Sequence, residues 1–275
     1  MYEAVKQINK LTPQSPLLIQ GKNGTLTINP QEKVEIIAKY FKDVFYKNAE
    51  PMPEIEPIPM KNPLTPNEIQ KAVQKMKSNK SPGCDQISVE LIKYAPPVVF
   101  TIIVDLYNKL AETGDCPKEI THGPLRPLQK PGKAKGPPAN LRPIILLSPL
   151  RKILASCIMS RIKSKIDKKI PSTQAAYRKD RSTTEQVFTC KLIAERTISA
   201  KNETVHLLLL DMSKAFDSVN RNTLIKDLEQ TIETDELHII KALLNVTLQV
   251  KCDNTLSEPF PTDTGALQGD CASAN

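Results

Sequence analysis

The chain has 275 residues, 40% of them hydrophobic, enough for one large or two ordinary domains with real cores. Its net charge is +8 and its pI about 9.1, a balance that favours an anionic partner, with nucleic acid the simplest one. Six cysteines without a Cys-x-x-Cys pair, and three histidines far from them, argue against a zinc site or a disulfide framework and for a reducing, intracellular compartment. No apolar run reaches membrane-spanning length, and the start at Met1-Tyr2-Glu3 lacks the apolar core of a signal peptide.

Residues 1–29 are polar and weakly patterned, with Gly21-Lys22-Asn23-Gly24 marking a turn between short extended pieces. Asn29-Pro30-Gln31-Glu32 predicts a helix start, with an N-cap, Pro at the first helical position and Glu at the third. Val34, Ile37, Phe41, Val44 and Phe45 recur on one side of it, so this helix docks on something. The proline-rich stretch 48–63 reads as an extended linker. Thr65-Pro66-Asn67-Glu68 repeats the capping-box pattern and opens a helix with Ile69, Val73 and Met76 on its apolar side. It runs into the loop Lys77-Ser78-Asn79-Lys80-Ser81-Pro82-Gly83-Cys84-Asp85-Gln86-Ile87. A core helix follows around Val98–Leu110, ended by Gly114-Asp115-Cys116-Pro117.

Residues 122–169 carry twelve Lys or Arg against one acid, Asp167, so this segment is the electrostatic centre of the chain. Two strands are predicted over 125–130 and 140–146, joined by the basic Gly/Pro-rich loop 131–138. Such a tip, carrying Lys133 and Lys135, cannot enter a core but can lie over phosphates. Ser148-Pro149 caps the next helix, whose apolar side runs from Leu150 to Ile166 and whose other side is basic. Pro171 stops it, and Ser182 to Glu185 opens another helix, to about Ile198.

Val205 to Leu210, apolar except for His206, reads as a strand buried on both faces. It ends on Asp211 and a small polar turn, before a helix capped by Asn220 with Leu224, Ile225 and Leu228 on one face. A carboxylate in that place suits a divalent cation, since Mg²⁺ takes only one or two protein carboxylates. An ordinary solvated Asp at a strand end has the same spacing. A further helix near Leu237–Leu244 and a strand over 248–252 lead to Thr264-Gly265-Ala266-Leu267-Gln268-Gly269-Asp270-Cys271-Ala272-Ser273.

Leu210-Asp211-Met212-Ser213-Lys214-Ala215-Phe216-Asp217-Ser218-Val219 resembles the first catalytic motif of the palm in reverse transcriptases of non-LTR (LINE-type) retrotransposons. The resemblance implies that Asp211 is a ligand to both catalytic Mg²⁺ ions. It also implies that Phe216 packs under the sugar of the incoming nucleotide and excludes a 2′-hydroxyl, with Asp217 structural. The 77–87 loop resembles the family's Lys-Ser-Pro-Gly-x-Asp-Gly-Ile element, with Lys77 and Lys80 on the template backbone. Gln86 stands where that element has Gly, so a positive φ is not expected there. Asn140-Leu141-Arg142-Pro143-Ile144-Ile145-Leu146-Leu147-Ser148 resembles the fingers hairpin, which implies that Arg142 meets the triphosphate with Lys130 as its companion. Gln174-Ala175-Ala176-Tyr177-Arg178-Lys179-Asp180-Arg181-Ser182-Thr183 resembles another element of the family, making Arg178 and Arg181 template contacts. In the 264–273 element, Gly269 would let backbone approach the nucleotide and Gln268 would pack near its base and sugar.

The fold implied is α/β (α+β): the fingers and a partial palm of a right-hand polymerase, helix-rich, with a basic β-hairpin and a central palm strand. Residues 1–64 would be a helical linker extension, 65–200 the fingers and 201–275 the partial palm. The family's second carboxylate pair, in an Ala-Asp-Asp hairpin, would fall past Asn275, and no Asp-Asp pair occurs in the chain. The expected function is RNA-directed DNA polymerisation with an RNA template, a DNA primer, dNTPs and Mg²⁺, away from membranes and with the oligomeric state open. A degenerate domain that binds nucleic acid without catalysis is the alternative. A viral RNA-copying RNA polymerase is more remote, because a small residue would be expected at Phe216.

Overall fold

Asn29 accepts hydrogen bonds from the amides of Gln31 and Glu32 and starts α1 (Pro30–Phe45) with Pro30 in its first turn. The expected capping box stays half made, because Glu32 turns away to accept from the Thr27 hydroxyl at 2.6 Å. The computed structural model describes residues 17–21, 24–50, 56–57, 59–201, 204–212 and 214–267. Within it, Val34, Ile37, Phe41 and Phe45 of α1 are buried against one face of a five-stranded sheet. At ~1.5–3 kcal/mol per fully buried apolar side chain, these four are the main anchor of α1.

The sheet is built from β3 (His122–Gln129), β4 (Leu141–Ile145), β5 (Thr247–Cys252), β6 (Thr255–Leu256) and β7 (Phe260–Pro261). β3 and β4 form the expected antiparallel hairpin, with Leu128 opposite Arg142 and Arg126 opposite Ile144. β5 lies parallel to the other side of β3, with His122 opposite Thr247 and Leu125 opposite Val250, and carries β6 and β7 antiparallel. Alternation then divides the faces. Leu125, Leu141, Ile145, Leu248 and Val250 turn toward α1, and Arg126, Arg142, Gln249 and Lys251 take the opposite face. A small hairpin, β1 (Ile19–Gln20) with β2 (Leu26–Thr27), leans on the loop of the large one, Gln20 donating its amide to the Gly136 carbonyl.

A second core is helical. α2 (Pro66–Lys75), α3 (Val89–Lys93), α4 (Pro97–Thr113), α5 (Lys118–Thr121), α6 (Pro149–Asp167), α8 (Arg221–Glu229) and α9 (Thr234–Leu244) enclose Ile69, Val73, Tyr107, Leu110, Ile153 and Ile239. Thr65 and Glu68 complete the capping box of α2, and Asn220 caps α8 by accepting from the Thr223 amide. Arg161 of α6 joins Glu68 through two contacts of 2.6 and 2.8 Å and donates to the carbonyls of Asn62 and Pro63. With Lys61 and Asn62 amides held by Asp235, the end of the expected linker is thereby fastened to the helices. Helix α7 (Thr183–Lys201) leaves Val187, Phe188, Ile193 and Ile198 exposed.

The central palm strand is where expectation and structure part. Residues 204–212 form no strand, and Leu207 to Leu210 are each at least 68% exposed. A strand exists only through a ladder partner, and among the described residues no strand pairs with this segment. The parallel neighbour of β3 is β5 instead. A second difference is Gln86, which does take a positive φ of 56°. Its side-chain amide donates to the Gly83 carbonyl, and this local bond does for Gln what freedom from a Cβ does for Gly.

Candidate nucleic-acid and nucleotide site

The face of the sheet turned away from α1 opens on a groove of about 700 Å³. His122, Pro124, Arg126 and Leu128 of β3, Ile144 of β4, and Gln249 and Lys251 of β5 form its floor, and residues Ser81–Cys84 and Gln86 form a wall. Two guanidinium or ammonium groups, the amide of Gln249 and several apolar surfaces therefore border one open channel. His122 and Gln249 lie 3.2 Å apart, and Gln249 also donates to the Ser257 carbonyl. Arg142 shares this face, directly opposite Leu128, and is exposed.

The groove wall sits where it does because Gly83 permits it. A Cβ there would lie 2.6 Å from the Ser148 nitrogen and 2.8 Å from its Cα, both of them backbone. Asp85 accepts from the Ser148 hydroxyl at 2.5 Å, tying the loop to the first turn of α6. Cys84 points its thiol at the carbonyls of Glu119 and His122, and burial pushes the thiol above its ordinary range. Lys77 and Lys80 are exposed on the approach to this wall.

At the hairpin tip, Lys130 donates its ammonium to the Ala139 carbonyl at 2.8 Å and so helps to close the loop. Gln129 and Asn140 reach across to the carbonyls of Lys133 and Ala134, leaving Lys133 and Lys135 exposed on an ordered tip. Arg178 is directed backwards, donating to the Pro171 carbonyl and lying 3.9 Å from Asp167. Arg181 pairs with Glu185 at 2.6 Å, an exposed i,i+4 pair worth only ~0.3–0.5 kcal/mol. Both are accessible at little energetic cost, but neither joins the groove.

Asp211 is exposed, and among the described residues its carboxylate has no hydrogen-bond or ion-pair partner. No three His, Cys, Asp or Glu side chains gather as a metal site among the described residues. One carboxylate alone does not hold two metal ions, so a two-ion centre at Asp211 would need further ligands beyond those described. Phe216 is half-buried in a 3-10 turn, Phe216–Ser218, with the Tyr177 ring edge-on at 5.9 Å. The Ala266 amide donates to the Phe216 carbonyl at 2.7 Å, so the 264–273 element begins in contact with the 216–218 turn. Gln268 and Gly269 lie outside the described residues.

Sequence reasoning passed over Arg126, His122, Gln249 and Lys251. The signal was available, since parity along each strand puts Arg126 with Arg142, and Gln249 with Lys251, opposite the apolar positions. It needed the β3–β5 pairing to bring the two strands together. Arg221 gave no signal at all: an Arg just after an N-cap reads as solvated, yet it is 2% exposed.

Residues 128–274 match the family described as Reverse transcriptase (RNA-dependent DNA polymerase), a little over half of the chain. The chain is 26% identical to the "Probable RNA-directed DNA polymerase from transposon BS" of Drosophila melanogaster, over 94% of the chain and 30% of that protein. It is 26% identical to the "Probable RNA-directed DNA polymerase from transposon X-element" of the same fly, over 98% of the chain and 31% of that protein. To the "RNA-directed DNA polymerase from mobile element jockey" of Drosophila funebris it is 27% identical, over 66% of the chain and 20% of that protein. The chain spans less than a third of the length of each of these curated relatives. The family match begins inside β3 and takes in the 130–140 loop, β4, the Asp211 motif and the 264–273 element, while the transposon polymerases extend the likeness across α1 and α2. The chain belongs to the reverse transcriptase family, in its non-LTR, LINE-type form.

Proposed function

We propose that this chain supplies the fingers and the first part of the palm of an RNA-directed DNA polymerase, and that an unpaired RNA template lies in the groove on the open face of its sheet. The observation that carries the reading is the groove itself: cations from β3 and β5 on the same pleated face as Arg142, beside an ordered basic hairpin tip. Backbone phosphates would meet Arg126, Lys251, Lys133 and Lys135, with Lys77, Lys80, Arg178 and Arg181 further along the same strand. Apolar surface and the Gln249 amide suit unstacked bases, which is how single strands are held. Arg142 would take the triphosphate of the incoming dNTP, and Phe216 would exclude a 2′-hydroxyl. Gln268 and Gly269 would approach the base and sugar, and the primer end would meet Asp211, the carboxylate that Mg²⁺ would bind.

The test is binding of a single-stranded RNA to the purified chain over a range of salt, beside template-dependent primer extension. Affinity should fall with a log–log slope of about −0.7 per phosphate contacted. The pair Arg126→Glu and Lys251→Glu should weaken binding at every salt concentration. RNA affinity that ignores both salt and this charge reversal would overturn the groove assignment. A second reading is binding without polymerisation, since among the described residues no group of three His, Cys, Asp or Glu side chains gathers around Asp211. It predicts the same binding and no extension.

A further inference from the structure

Arg221 is the first residue of α8, a position from which a cation normally reaches water. Instead its guanidinium is buried and donates to four carbonyls: Nε to Gly265 at 3.0 Å, Nη1 to Leu244 at 2.7 Å and Thr262 at 2.8 Å, and Nη2 to Thr264 at 3.0 Å. Burial lowers its pKa to about 10, so it stays charged at neutral pH. The nearby acid, Asp263, spends its carboxylate on the amides of Lys47 and Ala49 just past α1. Taking a cation out of water costs several kcal/mol, and an apolar side chain of similar size fills such a space more cheaply. What the guanidinium adds is geometry: a rigid fork that joins the 262–265 segment to the end of α9, from a residue two positions past the 216–219 turn.

The 262–266 segment also meets the 216–219 turn. Gly265 donates its amide to the Val219 carbonyl at 2.8 Å, Ala266 to Phe216 at 2.7 Å, and the Thr264 hydroxyl to Val219 at 3.0 Å. Gly265 has φ +80°, and a Cβ on it would come within 2.8 Å of the Asp217 carbonyl oxygen. The two strips of backbone are thus in contact at a spacing that admits no side chain, and Arg221 grips one of them from behind.

We propose that Arg221 is a positioning residue that holds the 216–219 turn and the 262–266 segment as one unit, and so fixes where the Phe216 ring stands against the sugar of an incoming nucleotide. This rests on the reading of Phe216 as the sugar gate. Removing the fork loosens 262–266, releases the carbonyls of Phe216 and Val219, and lets the ring shift without being lost. Discrimination between deoxy- and ribonucleotides therefore weakens.

The experiment uses the form of the protein that extends a primer on RNA, with kcat and KM measured for dCTP and for CTP. Each variant is also checked by thermal unfolding. Arg221→Lys keeps the charge but cannot reach four carbonyls, and should lower the dCTP/CTP ratio of kcat/KM by about tenfold, mostly through a lower KM for CTP. Thr264→Val removes one bond at the same junction with little change in shape, and should lower the ratio less. It decides the matter by itself if Arg221→Lys fails to fold. A purely structural role would lower the melting temperature and depress both substrates equally, with the ratio unchanged. That result, alongside a Phe216→Ala variant that does admit CTP, would overturn the role of Arg221 and leave the gate standing. If Phe216→Ala itself left the ratio unchanged, the gate reading would fall and this proposal with it.

Discussion

Replacing Gly83 with Ala should move the wall of the groove. The added Cβ would sit 2.6 Å from the Ser148 nitrogen, 2.8 Å from its Cα and 3.0 Å from the Leu147 carbonyl carbon, all backbone atoms that no rotamer change can clear. Relieving that overlap means backing the 81–86 loop away from α6, at ~1–3 kcal/mol for an overpacked contact. The retreat also stretches the bond from the Ser148 hydroxyl to the Asp85 carboxylate, and a hydrogen bond to a charged group is worth ~1.5–3 kcal/mol. The two losses overlap, so we expect about 2–4 kcal/mol in total, or a fall of roughly 5–15 °C in melting temperature for a chain this size. RNA affinity should fall with it, because Pro82, Gly83, Cys84 and Gln86 border the channel. Gly132→Ala is the control. Nothing lies within 4 Å of a Cβ there, and its φ of +71° should cost only ~1–2 kcal/mol with affinity unchanged. Denaturant unfolding and an RNA titration of both variants check this. A Gly83→Ala protein that unfolds like the parent would refute the close-approach argument.

Arg161→Met should cost about 2–3 kcal/mol near neutral pH, since it strips two bonds from Glu68 and two from the 62–63 carbonyls. Arg161 holds the Glu68 carboxyl below its ordinary range. Its contribution is therefore full above the unfolded pKa and is lost as pH falls through the lower folded value. The gap between variant and parent should narrow in acid to what the two carbonyl bonds contribute, and a gap that is constant with pH would contradict this. Lys133→Glu with Lys135→Glu should make the salt slope of RNA binding shallower by about 1.4, two phosphate contacts at ~0.7 each, and an unchanged slope would remove the hairpin tip from the interface. Asp211→Asn should reduce primer extension by about a hundredfold or more while leaving RNA affinity alone. Equal losses in both would make Asp211 a structural residue.

Local chemistry was legible and long-range pairing was not. Asn29, Thr65 and Asn220 each announced a helix start because capping is decided within four residues. The β3–β4 hairpin was legible for the same reason, with its turn chemistry lying between two short strands. That β5 runs parallel to β3 has no local signature. The run 205–210 misled because apolarity states a need for cover without saying whether cover is at hand. At the site, Arg142 and the 77–87 loop could be singled out as words. Arg126 and Lys251 had no word to mark them and became visible only as neighbours on one pleated face. Arg221 was hidden because four backbone carbonyls are its partners, and a carbonyl leaves no trace in a sequence.

The bond from the Lys47 amide to Asp263 joins residues 216 apart in sequence, and α1 gives its whole apolar stripe to a sheet that includes β5. On a ribosome, then, α1 emerges early and waits. At ~5–20 residues per second, its partner strand follows some 10–40 s later. For that interval Val34, Ile37, Phe41 and Phe45 have no finished surface to cover them, while α2 to α6 can already gather around their own core. Assembly of this region is accordingly staggered, the helical half first and the sheet that includes β5 after it. A nascent chain stalled before β5 would expose the stripe that holders of unfolded chains recognise.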